Sequence, residues 1–308
     1  MATTVNPAIG NSVGLASRYL PILDEIYKAD SKSAVLDTAE DRVRWSDEYQ
    51  TFYLFETSMG GLADYSRNGG FVRGDVTAGW RAYTPQWDRA RQFLVDVADN
   101  SEALDMSFGT LASEFMRTKV IPETDALRFA TYAAGAAAAN QDTESLANAA
   151  AAIASIDDAT AALDDAEVPY EGRILFVNPT TYKLIKSGIT RFIQNGDRNL
   201  DYNVERYNDM RVITVPSGRF NTEITLAQPS AHGDAGGYTA TGSTINYMII
   251  HPSAVMQAVK LAMPRIFSPR EVVEADAWVY DFRQYHGAWV KHKKTNGIYV
   301  SAASFPST

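Results

Sequence analysis

The stretch that most constrains this chain lies between residues 45 and 98. Its aromatic side chains are Trp45, Tyr49, Phe52, Tyr53, Phe55, Tyr65, Phe71, Trp80, Tyr83, Trp87 and Phe93, and it is broken by Gly60-Gly61 and Asn68-Gly69-Gly70. Asn-Gly favours a tight turn because both residues reach positive φ at low cost. The pattern predicts a long, curved β-hairpin region with strands near 49–57, 71–83 and 91–97. So much sequence for so few strands does not fit inside a compact domain. A hairpin without a further layer cannot bury its two faces and is marginal alone. It therefore needs a second surface, inside its own subunit or on a neighbour. Phe71, Arg73, Trp80, Tyr83 and Trp87 are the candidate inter-subunit contacts, because aromatic residues and arginine anchor interfaces. Packing of these aromatics within their own chain is the alternative.

The rest of the chain is more ordinary. Residues 1–14 are small and polar and read as an extended arm, ordered only where it lies on something. Tyr19, Leu20, Leu23, Ile26 and Tyr27 suggest an amphipathic helix over 15–28, or one starting at Pro21. Leu104, Phe108, Leu111, Ala112 and Phe115 mark one face of a helix over 101–119, capped at Asn100 or Ser101. Ile121-Pro122 is expected to end it, with Pro122 opening a second helix that carries Leu127, Ala130, Ala133 and Ala134. Leu146, Ala149, Ala150 and Ile153 suggest a further helix, and Ser155-Ile-Asp-Asp158 resembles a capping box for another.

Arg173-Ile-Leu-Phe-Val177 reads as a buried strand, followed by a helix that Asn178 caps and Pro179 opens, with Gly188 just past its end. Ile245–Ile250 reads as a second strand, with His251-Pro252-Ser253 opening a segment over 254–261 on the same strand-then-helix logic. Arg211–Val215 is a third strand, and residues 228–243 read as a loop. Near the C-terminus, Trp278, Tyr280 and Phe282 alternate with Val279, Asp281 and Arg283. Ala288–His292 and Ile298–Ala302 flank a turn at 293–297, so two or three antiparallel strands fit.

Composition narrows the function classes. A 308-residue chain with 45% hydrophobic and 21% charged residues has material for a sizeable core. There is no cysteine, so neither a disulfide framework nor a thiolate metal site can form. A net charge of −9 makes a poor general binder of polyphosphate. Met1 to Pro7 lacks a basic region followed by an apolar run, so no secretory leader is expected. No window approaches the apolar length of a membrane span, and no membrane partner is expected.

The chemistry-bearing residues form no catalytic constellation. Tyr182 and Lys186 have the Tyr-x-x-x-Lys spacing of short-chain dehydrogenases, but no Gly-x-Gly-x-x-Gly precedes them. His232, His251, His286 and His292 have no metal-ligand spacing, and no Gly-x-Ser-x-Gly elbow is present. Asp157-Asp158 and Asp164-Asp165-Ala-Glu167 lack the alternation and turn glycine of a calcium loop and read as a solvated helix face. Lys291, Lys293 and Lys294 form the compact basic cluster. They are candidates for contact with DNA or a neighbour, the alternative being a solvated hairpin tip. No catalytic residue, metal site or cofactor is expected.

The order of these elements resembles the major capsid proteins of tailed bacteriophages, an α+β Hong Kong 97-like fold. The matching segments are Phe93-Leu-Val-Asp-Val97 leading into residues 102–119, Phe115-Met-Arg-Thr-Lys-Val-Ile-Pro-Glu123, and Arg173-Ile-Leu-Phe-Val-Asn-Pro-Thr-Thr-Tyr182. The resemblance spans nearly the whole chain and rests on order more than on any one motif. It implies an N-terminal arm over 1–44 and an extended loop over 45–98. It implies a peripheral domain over 99–139 and 263–308, containing a spine helix and a β-ribbon, and an axial domain over 140–262. It also implies a structural role without enzymatic activity: hexamers and pentamers closing an icosahedral shell around double-stranded DNA, bound without sequence preference. Portal and decoration proteins are implied partners, in the virion and, during assembly, the host cytoplasm.

Two departures from the family are informative. Some members cross-link a loop lysine to a neighbour's asparagine, and residues 46–94 contain no lysine, so no such cross-link is expected. Some carry a long N-terminal scaffold segment; the short arm here leads to the expectation of a separate scaffolding protein, assembly without one, or a chain already processed. Two alternatives stay open at the level of sequence: an encapsulin-like protein compartment of the same fold, and an α/β enzyme using Tyr182 and Lys186.

Overall fold

The computed structural model describes residues 31–37, 51–65, 67–68, 71–97, 112–188, 204–229, 234–272 and 276–306. The helix expected over 15–28, the first part of the one over 101–119 and His232 lie outside them. In chain order the elements are β1 (Phe52–Met59), β2 (Val76–Tyr83), β3 (Trp87–Asp96), α1 (Ile121–Gly135), β4 (Gln141–Thr143), α2 (Ala149–Asp165), β5 (Ile174–Val177), α3 (Pro179–Gly188), β6 (Arg206–Tyr207), β7 (Met210–Thr214), β8 (Ile224–Leu226), β9 (Tyr238–Ala240), β10 (Ile245–Ile250), β11 (Val255–Phe267), β12 (Ala277–Val290) and β13 (Ile298–Ala302). Among the described residues no helix is long and apolar enough to cross a membrane.

The centre is a six-stranded mixed sheet in the order β4-β13-β10-β5-β7-β6. Side chains alternate across its two faces. Phe176, Met248, Ile250 and Val300 point to one side and pack with Phe129 and Tyr132 of α1. Leu175, Val177, Tyr247 and Ile249 point to the other and pack with Ile156 and Leu163 of α2 and Ile185 of α3. Both faces are covered, which is why β5 and the stretch Tyr247–Ile250 of β10 read as unbroken apolar runs. Burying Phe129 and Phe176 contributes about 2 kcal/mol each. Asn178 joins strand to helix as expected: its Oδ1 accepts the Thr181 N–H at 2.6 Å, and its Nδ2 donates to the Ile245 carbonyl at 2.9 Å.

A second sheet, β11-β12-β3, is antiparallel throughout. Ala112, Met116 and Val120 pack on it through Ile266, Tyr280 and Phe282, with Phe93 and Phe115 alongside. The end of the predicted 101–119 helix face therefore does meet a sheet.

Several expectations need correction. Residues 112–115 are helical and run on through a π-helical turn, Met116–Val120, directly into α1, so Ile121-Pro122 does not end the helix. Proline has no N–H to give and its ring crowds the carbonyl four residues back. A wider turn just before Pro122 makes that room, and the Thr118 hydroxyl donates to the Glu114 carbonyl at 2.7 Å. Ser155 does not open a helix. It lies inside α2, whose cap is Asn148, with Oδ1 accepting the Ala151 N–H at 2.9 Å.

From Val255 onward the segment over 254–261 is strand, not helix. Val255 packs into the central core and Met256 into a cluster on the opposite side, so both faces of β11 are covered there and the local sequence looks helical. Its pairing along β12 decides the matter. The expected hairpin of 288–292 with 298–302 does not form, since β12 pairs with β11 and β3 whereas β13 pairs with β10 and β4. Likewise the strand expected at 91–97 is β3, which leaves the hairpin and joins β12. Within the stretch read as a loop over 228–243, Tyr238–Ala240 is β9, paired with β8.

Candidate functional site

The β1–β2 hairpin has one register throughout: Tyr53 faces Ala82, Phe55 faces Trp80, Thr57 faces Ala78 and Met59 faces Val76. Those four pairs share one face of the pleat. That face is apolar at every position but Thr57, and it points to solvent. Trp80 is 69% exposed and Met59 73%, and the Phe55 and Trp80 rings lie 5.0 Å apart. Beyond the strands, Leu62 is fully exposed, and Phe71 is 89% exposed beside Tyr65 at 5.0 Å. The opposite face is anchored at its root. Tyr83 is buried against Trp289, Met256 and Leu54, with its ring 6.2 Å from Trp289. Trp289 donates through Nε1 to the Thr84 carbonyl at 3.2 Å. Its indole lies over Gly287, where a Cβ would come within 2.3 Å of the ring.

The candidate contact residues therefore separate. Phe71, Arg73 and Trp80 are exposed on the hairpin. Tyr83 is packed inside its own subunit, and Trp87 is half-buried on β3 beside His286 at 5.3 Å. For these two the structure shows packing within the chain. The reason is register: Tyr83 is three residues from Trp80 on one strand and so points to the other face.

The basic cluster is not a hairpin tip. Lys291 precedes, and Lys293 and Lys294 lie in, a short 3-10 segment, His292–Gly297, linking the two sheets. Lys291 donates to the Ser253 carbonyl at 2.8 Å, Lys293 donates to the Thr57 carbonyl on β1, and Lys294 is exposed. Lys293 thereby covers part of the open edge of β1.

Tyr182 and Lys186 both lie on α3. The Tyr182 hydroxyl accepts the Val204 N–H at 2.9 Å, which ties α3 to the chain entering β6. His251 accepts the Ser253 N–H through Nδ1 at 3.2 Å, and burial lowers its pKa. In α2, Asp157 accepts from the Tyr207 hydroxyl at 2.9 Å and Asp164 pairs with the buried Arg173 at 2.6 Å. Among the described residues no group of three or more His, Asp or Glu is placed to hold a metal ion.

Sequence reasoning missed a buried polar seat on α1. Asp125 and Arg128 are both enclosed, 0% and 1% exposed. Together with Gln257 of β11 they hold the short segment 31–37. The available signal was an Asp and an Arg three apart in the stretch Asp125-Ala-Leu-Arg-Phe-Ala130, which is otherwise apolar.

No family model matches the sequence, and none of the curated proteins does. Solved structures do match. The chain is similar to one in the asymmetric unit of the bacteriophage PhiM1 mature capsid, with 12% identity, 84% of each chain covered and a TM-score of 0.59. It is similar to the capsid structure of cyanophage P-SCSP1u, with 14% identity, 88% of this chain and 87% of that one covered and a TM-score of 0.56. It is also similar to a chain from Gordonia phage Cozz, with 11% identity, 91% and 87% covered and a TM-score of 0.60. At such identities the shared property is the fold. This chain has the α+β Hong Kong 97-like capsid fold.

Proposed function

We propose that this chain is the major capsid protein of a tailed bacteriophage, building the icosahedral head shell that encloses double-stranded DNA. The observation that carries the reading is the outward apolar face of the β1–β2 hairpin in a chain with this fold. A sheet face bearing Tyr53, Phe55, Met59, Val76, Ala78, Trp80 and Ala82 is unstable in water unless covered, and repetition of one modest contact around a closed shell covers it in every copy.

In this reading residues 1–44 are the arm and 45–98 the extended loop, with 99–139 and 263–308 peripheral and 140–262 axial. β11 runs unbroken through the 262–263 boundary, so the last two share a strand. Phe71, Arg73 and Trp80 contact a neighbouring copy, and exposed Lys294 is available to DNA or to a neighbour. Scaffolding, portal and decoration proteins are further partners.

The test is negative-stain microscopy with light scattering on the purified chain, alone and with its neighbouring gene products. Uniform round shells, and nuclease-protected DNA inside them, are expected. Shells filled with protein instead of DNA would point to an encapsulin-like compartment. A stable monomer or dimer under every condition would overturn the shell reading.

A further inference from the structure

The seat on α1 holds a piece of this chain by side chains alone. Asp125 accepts from Ser31 Oγ at 2.7 Å, Lys32 N at 2.9 Å, Ser33 N at 3.3 Å and Ser33 Oγ at 2.7 Å. The Arg219 guanidinium reaches the same carboxylate at 3.4 Å. Arg128 donates to Ser33 Oγ at 2.8 Å and lies 3.4 Å from the Asp37 carboxylate. Gln257 donates to the Ser33 carbonyl at 2.7 Å and to Asp37 at 2.6 Å, and is itself held by the Tyr132 hydroxyl at 2.6 Å. One apolar plug, Leu36, enters the central core. Among the described residues, the backbone–backbone hydrogen bonds of this segment are internal, Leu36 to Ser33 and Asp37 to Ala34. No ladder joins it to the body.

We propose that residues 31–37 are a releasable clasp, a self-docking peptide whose seat is the Asp125–Arg128–Gln257 surface and which opens without unfolding the subunit. The chemistry of the seat supports this. On opening, a carboxylate and a guanidinium gain water in place of the segment's hydroxyls and N–H groups, so the exchange is close to balanced. An all-apolar seat would instead expose its full area to solvent. Opening also withdraws Leu36 from the central core at a cost of about 2 kcal/mol, which keeps the clasp closed at rest and leaves its opening well below global unfolding.

The test is trypsin cleavage after Lys32 in the free subunit, with hydrogen exchange at the Lys32 and Ser33 amides and thermal unfolding measured in parallel. S31A/S33A removes two donors from Asp125 and one acceptor from Arg128 but changes nothing in the body. Cleavage and exchange at the clasp should accelerate at least about tenfold, with the unfolding midpoint moving by less than about 2 °C. Val35→Ala, at an exposed position of the same segment, should leave the rate unchanged. Unchanged cleavage in S31A/S33A, equal acceleration in Val35→Ala, or a midpoint that falls together with clasp protection would each overturn the proposal. A subunit that never assembles still gives this result, so failure here and failure of the shell reading are distinguishable.

Discussion

His286 is enclosed between β3, α1 and its own strand, 2% exposed, and among the described residues its Nδ1 has no hydrogen-bond partner. Burial, then the nearby charges of Arg128 and Arg89, lower its pKa to about 3. Arg89 is paired with Glu123 at 2.6 Å, and Arg128 donates to Ser33 Oγ, which in turn donates to Asp125. In the unfolded chain the imidazole titrates near about 6.5. Between those two values the unfolded chain takes up a proton that the folded one refuses. The neutral ring therefore imposes no penalty above pH 6.5, and stability is lost as the pH falls from there toward 3, by about 1.4 kcal/mol per pH unit at most. The His286→Gln variant should show a flatter fall in denaturant stability between pH 6 and 4 than the parent chain; parallel curves would show that the ring does not titrate in this way. Nothing around position 286 in the sequence marks this burial, because Arg89 and Arg128 reach it from distant elements. Asn178 is the opposite case, since its cap is written in Asn-Pro after an apolar run and the structure shows it there.

The hairpin is the element whose two faces do different things. Its aromatic content was legible, but the direction of each ring was not, because direction depends on register and on where the strand ends. Trp80 pairs across from Phe55 on the outer face, whereas Tyr83 meets Trp289 on the inner one. An odd separation on one strand is a usable signal for that division. Trp87 belongs to a different sheet, which no local pattern announces. The double variant Phe55→Ser, Trp80→Ser should leave the free subunit's denaturation curve within about 0.5 kcal/mol of the parent while abolishing particles in the electron microscope. Tyr83→Ala should destabilise the free subunit by about 3 kcal/mol, since it empties a packed site. Equal destabilisation by both would show that the outer face is covered within the subunit.

At the scale of the whole molecule, a central sheet covered on both faces carries a ribbon and a hairpin that projects an uncovered apolar surface. Deleting residues 58–70 should give a folded, soluble subunit that no longer closes shells, and normal particles from that deletion would remove the hairpin tip from assembly. In the intact chain, proteolysis over 60–75 should be rapid in the free subunit and suppressed at least about tenfold in particles, as read by mass spectrometry of the fragments. By itself the sequence determined the buried strands β5 and β10, the strand β7, the capped helix α3, the aromatic hairpin and the order of elements that resembles a capsid protein. Each of those is set by local period and turn chemistry. Only the tertiary structure decided that β3 leaves the hairpin for β12, that 255–261 is strand, that β12 and β13 lie in different sheets, that Pro122 is absorbed by a π-helical turn, and that Asp125 and Arg128 seat the segment 31–37. Those outcomes depend on partners far apart in the chain, as with Ser33 and Gln257, which lie 224 residues apart. Periodicity within a window shows that a face must be covered and does not show what covers it.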